Sequence, residues 1–193
     1  MKKILLCCFI IFFVTSLPAC AQTKAPAEKP GEPQTKLEAF MAKKGKIVVK
    51  DSYDVDVVGG NMGHVELNAL IVYEPGLENV RTKGLRIEVT SAGRTEIKRV
   101  SFLDMDEVEA AIKGLEYMMK LAAQWKDQSR EPYTEIIFST KGFFRVGFYH
   151  SLIKQNVFVQ SGYISETTAF LGTDALVKLK SAFEKGLQIL KSK

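Results

Sequence analysis

Asp104 to Asp127 reads DMDEVEAAIKGLEYMMKLAAQWKD, and the fold follows from this stretch and its flanks. Asp104 is a residue type that caps helices, and Glu107 follows it at the spacing of a capping box. Asp106 and Glu109 add negative charge near the positive end of the helix dipole. Val108, Ala111, Ile112, Leu115, Met118, Met119, Ala122 and Trp125 recur at helical spacing, which gives one apolar face. The pattern predicts an amphipathic helix that ends around Asp127, before Glu131-Pro132. Met118, Met119 and Trp125 lie on the same stripe as Ile112 and Leu115, so they read as core packing rather than a cofactor box.

Upstream of this helix the periodicity is two. Leu37 to Met41 is a short helical lead-in, and Ile47-Val48-Val49 opens a strand in which Tyr53, Val55 and Val57 alternate with Asp54 and Asp56. Gly59-Gly60-Asn61-Met62-Gly63 breaks the chain as a turn. Val65, Leu67, Ala69, Ile71 and Tyr73 form the next alternating run, and Leu85, Ile87 and Val89 another. Ser91-Ala92-Gly93-Arg94 then turns into a strand from Thr95 to Leu103. In that last strand Ile97 is out of phase with Val100 and Phe102, and a bulge near Lys98-Arg99 would restore one inward face.

Downstream the order repeats. Tyr133–Thr140, Phe143–Ser151, Asn156–Tyr163 and Thr167–Leu171 read as strands, with Lys141-Gly142 as a turn. Gly172-Thr173-Asp174 caps a closing helix whose Leu176, Leu179, Phe183, Leu187 and Leu190 form its buried stripe. Grouped strands before each helix predict an α+β fold, a single domain of two units of antiparallel strands each followed by a helix. Lys113-Gly114-Leu115 and Lys185-Gly186-Leu187 fall at equivalent places in the two helices. They hint at duplication, or at glycines that let a helix lie close to a sheet, since glycine inside a helix otherwise costs about 1 kcal/mol. In element order alone the chain resembles the Whirly and purine-rich-element-binding group of single-stranded DNA binders. No residue motif of theirs is matched, and fold does not carry function.

The N-terminus decides where the domain works. Lys2 and Lys3 precede an unbroken apolar run of eleven residues from Ile4 to Val14. Spanning a bilayer core takes roughly 20 helical residues, so the run reads as a secretory leader rather than a permanent span. Its exit, Leu17-Pro18-Ala19-Cys20, resembles the lipobox of bacterial lipoproteins. That resemblance implies acylation of Cys20 on sulfur, with Cys20 as the mature N-terminus and membrane anchor. Lipoproteins carry more than one acyl chain, as stable anchoring needs. Ala19-Cys20-Ala21 also fits ordinary leader cleavage after Ala21. From Ala21 to Lys36 the chain holds Pro26, Pro30 and Pro33 among polar residues, a composition that cannot bury enough to offset ordering and so makes a tether. The expected organisation is a leader over 1–19, an acylated Cys20 with a tether over 20–36, and a globular domain over 37–193. Position 21 lacks the Asp that resembles an inner-membrane retention signal in enteric lipoproteins, so an outer-membrane, periplasm-facing location is favoured over the inner membrane.

Composition narrows the chemistry. Cys7, Cys8 and Cys20 all lie in the leader and lipobox, so the domain beyond has no disulfide, thiolate metal site or cysteine nucleophile. Of the formal charge of +5, Lys2 and Lys3 supply two, and the remaining +3 is spread along the chain. A domain of this length buries enough surface to stand without staples.

Lys141-Gly142-Phe143-Phe144-Arg145-Val146-Gly147-Phe148 partly matches the strand motif of RNA-recognition domains, but Arg145 stands where that motif places a base-stacking aromatic. An aromatic core strand after a turn is the better account, with Phe143, Arg145 and Tyr149 on its outward face as a contact surface. Asp51, Asp54 and Asp56 suggest calcium only superficially, because Asp54 and Asp56 alternate with valines as on the wet face of a strand. Gly59 to Gly63 lacks the Gly-Lys-Ser/Thr ending and the following helix of a phosphate loop. His64 and His150 are the only histidines, and neither stands in a hydrolase motif. The expectation is therefore a lipid-anchored, non-catalytic envelope module without cofactor or metal, partnered by the membrane through Cys20 and by an envelope protein or small ligand. The alternatives are a hydrolase using His64 or His150 with carboxylates such as Glu66, Glu88 and Glu135, and, disfavoured by export, a single-stranded nucleic-acid binder through Lys141–Phe148.

Overall fold

The structure is a computed structural model that describes residues 33–60, 62–152 and 154–193. The leader, Cys20 and most of the tether lie outside the described residues. The chain runs α1 (Lys36–Met41), β1 (Val49–Gly60), β2 (Gly63–Tyr73), β3 (Thr82–Ser91), β4 (Ile97–Asp104), α2 (Met105–Trp125), β5 (Arg130–Ser139), β6 (Phe144–Leu152), β7 (Lys154–Ser161), β8 (Thr167–Leu171) and α3 (Ala175–Ser192). Two four-stranded sheets result, β1-β2-β3-β4 and β5-β6-β7-β8, each a meander of antiparallel neighbours. This is an α+β architecture of two strand units, each followed by a helix.

Alternation sets the inner faces. Val65, Leu67, Ala69 and Ile71 of β2 and Leu85, Ile87 and Val89 of β3 are buried, as are Phe144, Val146 and Phe148 of β6 and Val157 and Val159 of β7. These side chains join Leu115 of α2 and Phe183 of α3 in one continuous core, which makes the two units a single domain.

The long helices reach across the units. Gly186 of α3 lies against β3 and β1, where an added Cβ would sit 2.8 Å from Leu85 Cδ2. Gly114 of α2 lies against β5, where an added Cβ would sit 2.9 Å from Phe138 Cδ2. Both helix glycines therefore serve close approach to a sheet, and in each case it is the sheet of the other unit. Trp125 extends the pattern, its ring 5.8 Å from that of Phe148. Ser101 Oγ of β4 and Ser161 Oγ of β7 share a buried hydrogen bond of 2.7 Å between the sheets. The tip of the β1–β2 hairpin joins β8 through one antiparallel bridge, Met62 to Phe170.

Two strands depart from the expected phase. The β3–β4 register runs unbroken from Gly84–Asp104 to Ser91–Ile97, so there is no bulge at Lys98-Arg99. β4 turns Ser101 and Leu103 inward, while Phe102 packs on the opposite side against a second apolar layer and needs no shift to be covered. The bulge lies in β1, where Asp54 pairs with Asn68 and Asp56 with Leu67, leaving Val55 as the extra residue. Beyond it the inward parity flips: Val55 and Val58 are buried, and Val57 is 59% exposed rather than inward.

The second layer covers the outer face of the first sheet. Leu37 and Phe40 of α1 pack on Leu70 and Val72, with Phe102 alongside. A capping box fixes the start of this short helix: Thr35 Oγ1 accepts from Glu38 N at 3.1 Å, and Glu38 Oε2 accepts from Thr35 N at 3.0 Å. The buried Asp104 carboxylate accepts from Lys36 N at 2.9 Å and Leu37 N at 3.3 Å. Glu107 receives Asp104 N at 3.3 Å and, through its other oxygen, Lys141 N at 2.7 Å. Two carboxylates at the start of α2 thus tie α1 and the β5–β6 turn to the domain. Thr35 and Lys36, grouped with the tether by composition, belong to this folded layer.

Candidate binding face on the second sheet

The outer face of the second sheet is built in cross-strand rows. Ile137, Gly147, Phe158 and Phe170 are register partners across all four strands. On one side lies the row Glu135, Tyr149 and Asn156, and on the other Ser139, Arg145, Gln160 and Thr168. An apolar stripe therefore runs between two polar ones.

Gly147 is what lets the stripe form. A Cβ there would come within 2.6 Å of Phe158 Cζ and 2.5 Å of Ile136 O, so the Phe158 ring occupies the space over the glycine. Phe158 is consequently buried, whereas its neighbours Ile137 and Phe170 remain 47% and 39% exposed. Met62, at the tip of the neighbouring hairpin, adds a further exposed apolar side chain. A hollow of about 270 Å³ opens beside them, lined by Met62, Tyr149, Asn156, Phe170, Leu171 and Gly172.

Hydrogen bonds hold the polar groups in place. Asn156 Nδ2 donates to Tyr149 Oη at 3.1 Å. The Tyr149 ring lies 5.5 Å from that of Tyr133, whose hydroxyl donates to Glu135. That bond to a carboxylate, reinforced by desolvation and the nearby negative charge, pushes the Tyr133 phenol up to about 12, so it stays neutral. Gln160 Nε2 donates to Thr168 Oγ1 at 3.1 Å, and Arg145 Nη1 pairs with Glu166 Oε1 at 2.8 Å.

Of the surface expected from sequence, Arg145 and Tyr149 do share this face, on either side of Gly147. Phe143 does not. It precedes β6 in the turn with a left-handed φ of 59°, and its ring packs on Tyr163 with centroids 4.5 Å apart. The turn presses against β4, where a Cβ on Gly142 would meet Phe102 O at 2.0 Å, and Phe143 takes the backbone conformation that completes the reversal. Ile137, Asn156, Phe158, Phe170 and Met62 were missed. β7 is apolar at both parities around Val157-Phe158-Val159, so alternation does not say which side is covered.

The histidines lie in different sheets. His150 is buried on β6, its Nε2 2.7 Å from Leu152 O and its Nδ1 3.3 Å from Gln155 Nε2. His64 is on β2, opposite Gly59 and Thr90. Asp54 accepts from Asn68 Nδ2 at 3.0 Å. Among the described residues no group of three or more His, Cys, Asp or Glu side chains converges as metal ligands, and no helix is long and apolar enough to cross a membrane.

No family model matches the chain, and no curated protein or solved structure is significantly similar to it.

Proposed function

We propose that the protein is a lipid-anchored, non-catalytic binding module of the cell envelope that engages an envelope component through the outer face of the second sheet. The observation that carries the reading is the row Ile137, Gly147, Phe158 and Phe170, an apolar stripe between two hydrogen-bonded polar rows whose two ends, Ile137 and Phe170, are exposed. Exposed aromatic side chains beside an arginine are the composition of binding hot spots, and an apolar stripe of this kind otherwise costs solubility. The membrane is the other partner, through lipid on Cys20, and the lipobox and proline-rich tether of the sequence support that placement.

Photo-crosslinkers placed at Ile137 and at Val177, an exposed position on α3, test the face in intact envelopes. Capture of a defined component from position 137 and not from 177 is expected; equal or no capture at both positions overturns the reading. Mass spectrometry of the mature chain tests the anchor independently. An acylated N-terminal Cys20, lost on Cys20→Ser, is expected, and a chain beginning at Gln22 removes the anchor.

A further inference from the structure

We infer that the hollow beside Tyr149 and Phe170 is a site for a neutral glycan, its sugar rings laid against the exposed Phe170 and half-buried Tyr149 side chains. This rests on the second sheet's outer face being the binding surface, and it adds the class of ligand.

Shape is the first ground. The hollow holds about 270 Å³ and is bounded by Tyr149, Phe170 and Met62, with Leu171 and Gly172 at its end. That is near the lower end of small-ligand sites, and too small to seat a helix. A pyranose has an apolar side of C–H bonds, whose partial positive charge suits the negative face of an aromatic ring.

The polar groups are the second ground. Asn156 Nδ2 donates to Tyr149 Oη at 3.1 Å, so the phenol acts as acceptor in this bond and keeps its O–H as a donor at the hollow that both residues line. The remaining amide oxygen of Asn156 is an acceptor at the same wall. Gln160 and Thr168 repeat the pairing of amide and hydroxyl on the far side of Phe170. Fixed amides and hydroxyls around a ring face fit a molecule rimmed with hydroxyl groups.

Charge decides between ligand classes that stack on aromatics. On this face Arg145, in the polar row beside the stripe, is engaged by Glu166 at 2.8 Å, so its cation is compensated. A single-stranded nucleic acid is held through uncompensated cations along its backbone, whereas an uncharged saccharide needs none.

The test titrates the detergent-solubilised full chain with chitotetraose, cellotetraose and a short oligothymidylate at low salt, by calorimetry. Saturable binding of at least one saccharide is expected, weakened about tenfold or more by Tyr149→Ala and by Phe170→Ala. Phe170→Leu, which keeps apolar packing but removes the ring, is expected to weaken it similarly. Tyr117→Ala, on the exposed side of α2, is expected to leave it unchanged. Preference between the two saccharides distinguishes an acetamido-sugar polymer from a plain glucan. The inference is overturned if neither saccharide binds, if binding survives all three changes on the face, or if only the oligothymidylate binds, with affinity falling steeply in salt. Capture at position 137 without saccharide binding overturns the glycan and leaves the binding face. Saccharide binding that ignores Tyr149 and Phe170 overturns this site.

Discussion

The two sheets have the same strand order and differ in what a central glycine admits on the outer face. In the first, a Cβ on Gly84 would come within 2.5 Å of Leu37 Cδ1, so the glycine makes room for a side chain from α1. In the second, the space over Gly147 is filled by Phe158 from the neighbouring strand. One glycine lets a further layer settle on the sheet; the other is overlaid by a ring from the sheet itself, with Ile137 and Phe170 exposed beside it. Where α1 does not reach, the first sheet carries a polar lattice: Asp54, Asn68, Arg86 and Glu88 are linked in series, with Arg86 Nη1 3.2 Å from Asn68 Oδ1 and Arg86 Nη2 2.5 Å from Glu88 Oε2. On the second sheet Ile137 and Phe170, in the row through Phe158, stay 47% and 39% exposed. This difference between matching scaffolds is what motivates the proposed contact surface on the second sheet.

The strongest way to break this contrast is to uncover the first sheet. Leu37→Ala removes the fully buried side chain seated over Gly84 and should cost about 3 kcal/mol, a fall of roughly 6–12 °C in Tm for a domain of this size. It should also raise binding of an apolar dye, as Leu70, Val72 and Phe102 become accessible. A shift below about 2 °C would mean that α1 is not a stabilising layer.

Gly147→Ala should cost about 1–3 kcal/mol, because the new Cβ meets a backbone oxygen as well as the Phe158 ring and only the ring can yield. Chemical denaturation measures it, and an unchanged midpoint would show that the face adapts freely.

A matched pair sharpens the comparison. Phe102→Ser, beneath α1, should destabilise by about 2 kcal/mol, whereas Phe170→Ser, on the open face, should stay within about 0.5–1 kcal/mol. Equal losses would mean that the two faces are buried alike.

The smallest effect concerns the polar lattice. The hydrogen bond from Arg86, and then its charge and that of Lys98, hold the Glu88 carboxyl below its usual value of 4.5. A group whose value is depressed on folding contributes fully above that ordinary value and loses its contribution as pH falls through the depressed one. Glu88→Gln should therefore lower stability by about 0.5–1 kcal/mol near neutral pH, with the difference from the unaltered protein closing as pH falls below 4.5. A difference that persists unchanged into acid would assign the loss to packing instead.

Much of this architecture was legible because its signals are local. The capping residues and apolar stripe of α2 lie within one stretch, and each β meander is announced by alternation and turn residues. The bulge was misplaced because phase errors look alike in sequence: the phase of Ile97 against Val100 and Phe102 implied a slip in β4, while the actual extra residue, Val55, sits in a run that alternates without fault. Which face α1 covers depends on a register between Leu37 and Gly84 that no local pattern records. The proposed binding face was half visible. Arg145 and Tyr149 share a strand and a parity, whereas Ile137, Phe158 and Phe170 come from three strands and meet only through pairing.

The reach of α3 bears on how the protein is made. Its Gly186 closes over Val55 and Leu85, strands that leave the ribosome long before the helix does. The first half of a nascent chain therefore cannot complete its interior alone, and contacts so distant in sequence form slowly. Premature termination ahead of Ala175 would strand that half with an apolar flank exposed, a substrate for holdase chaperones and proteases.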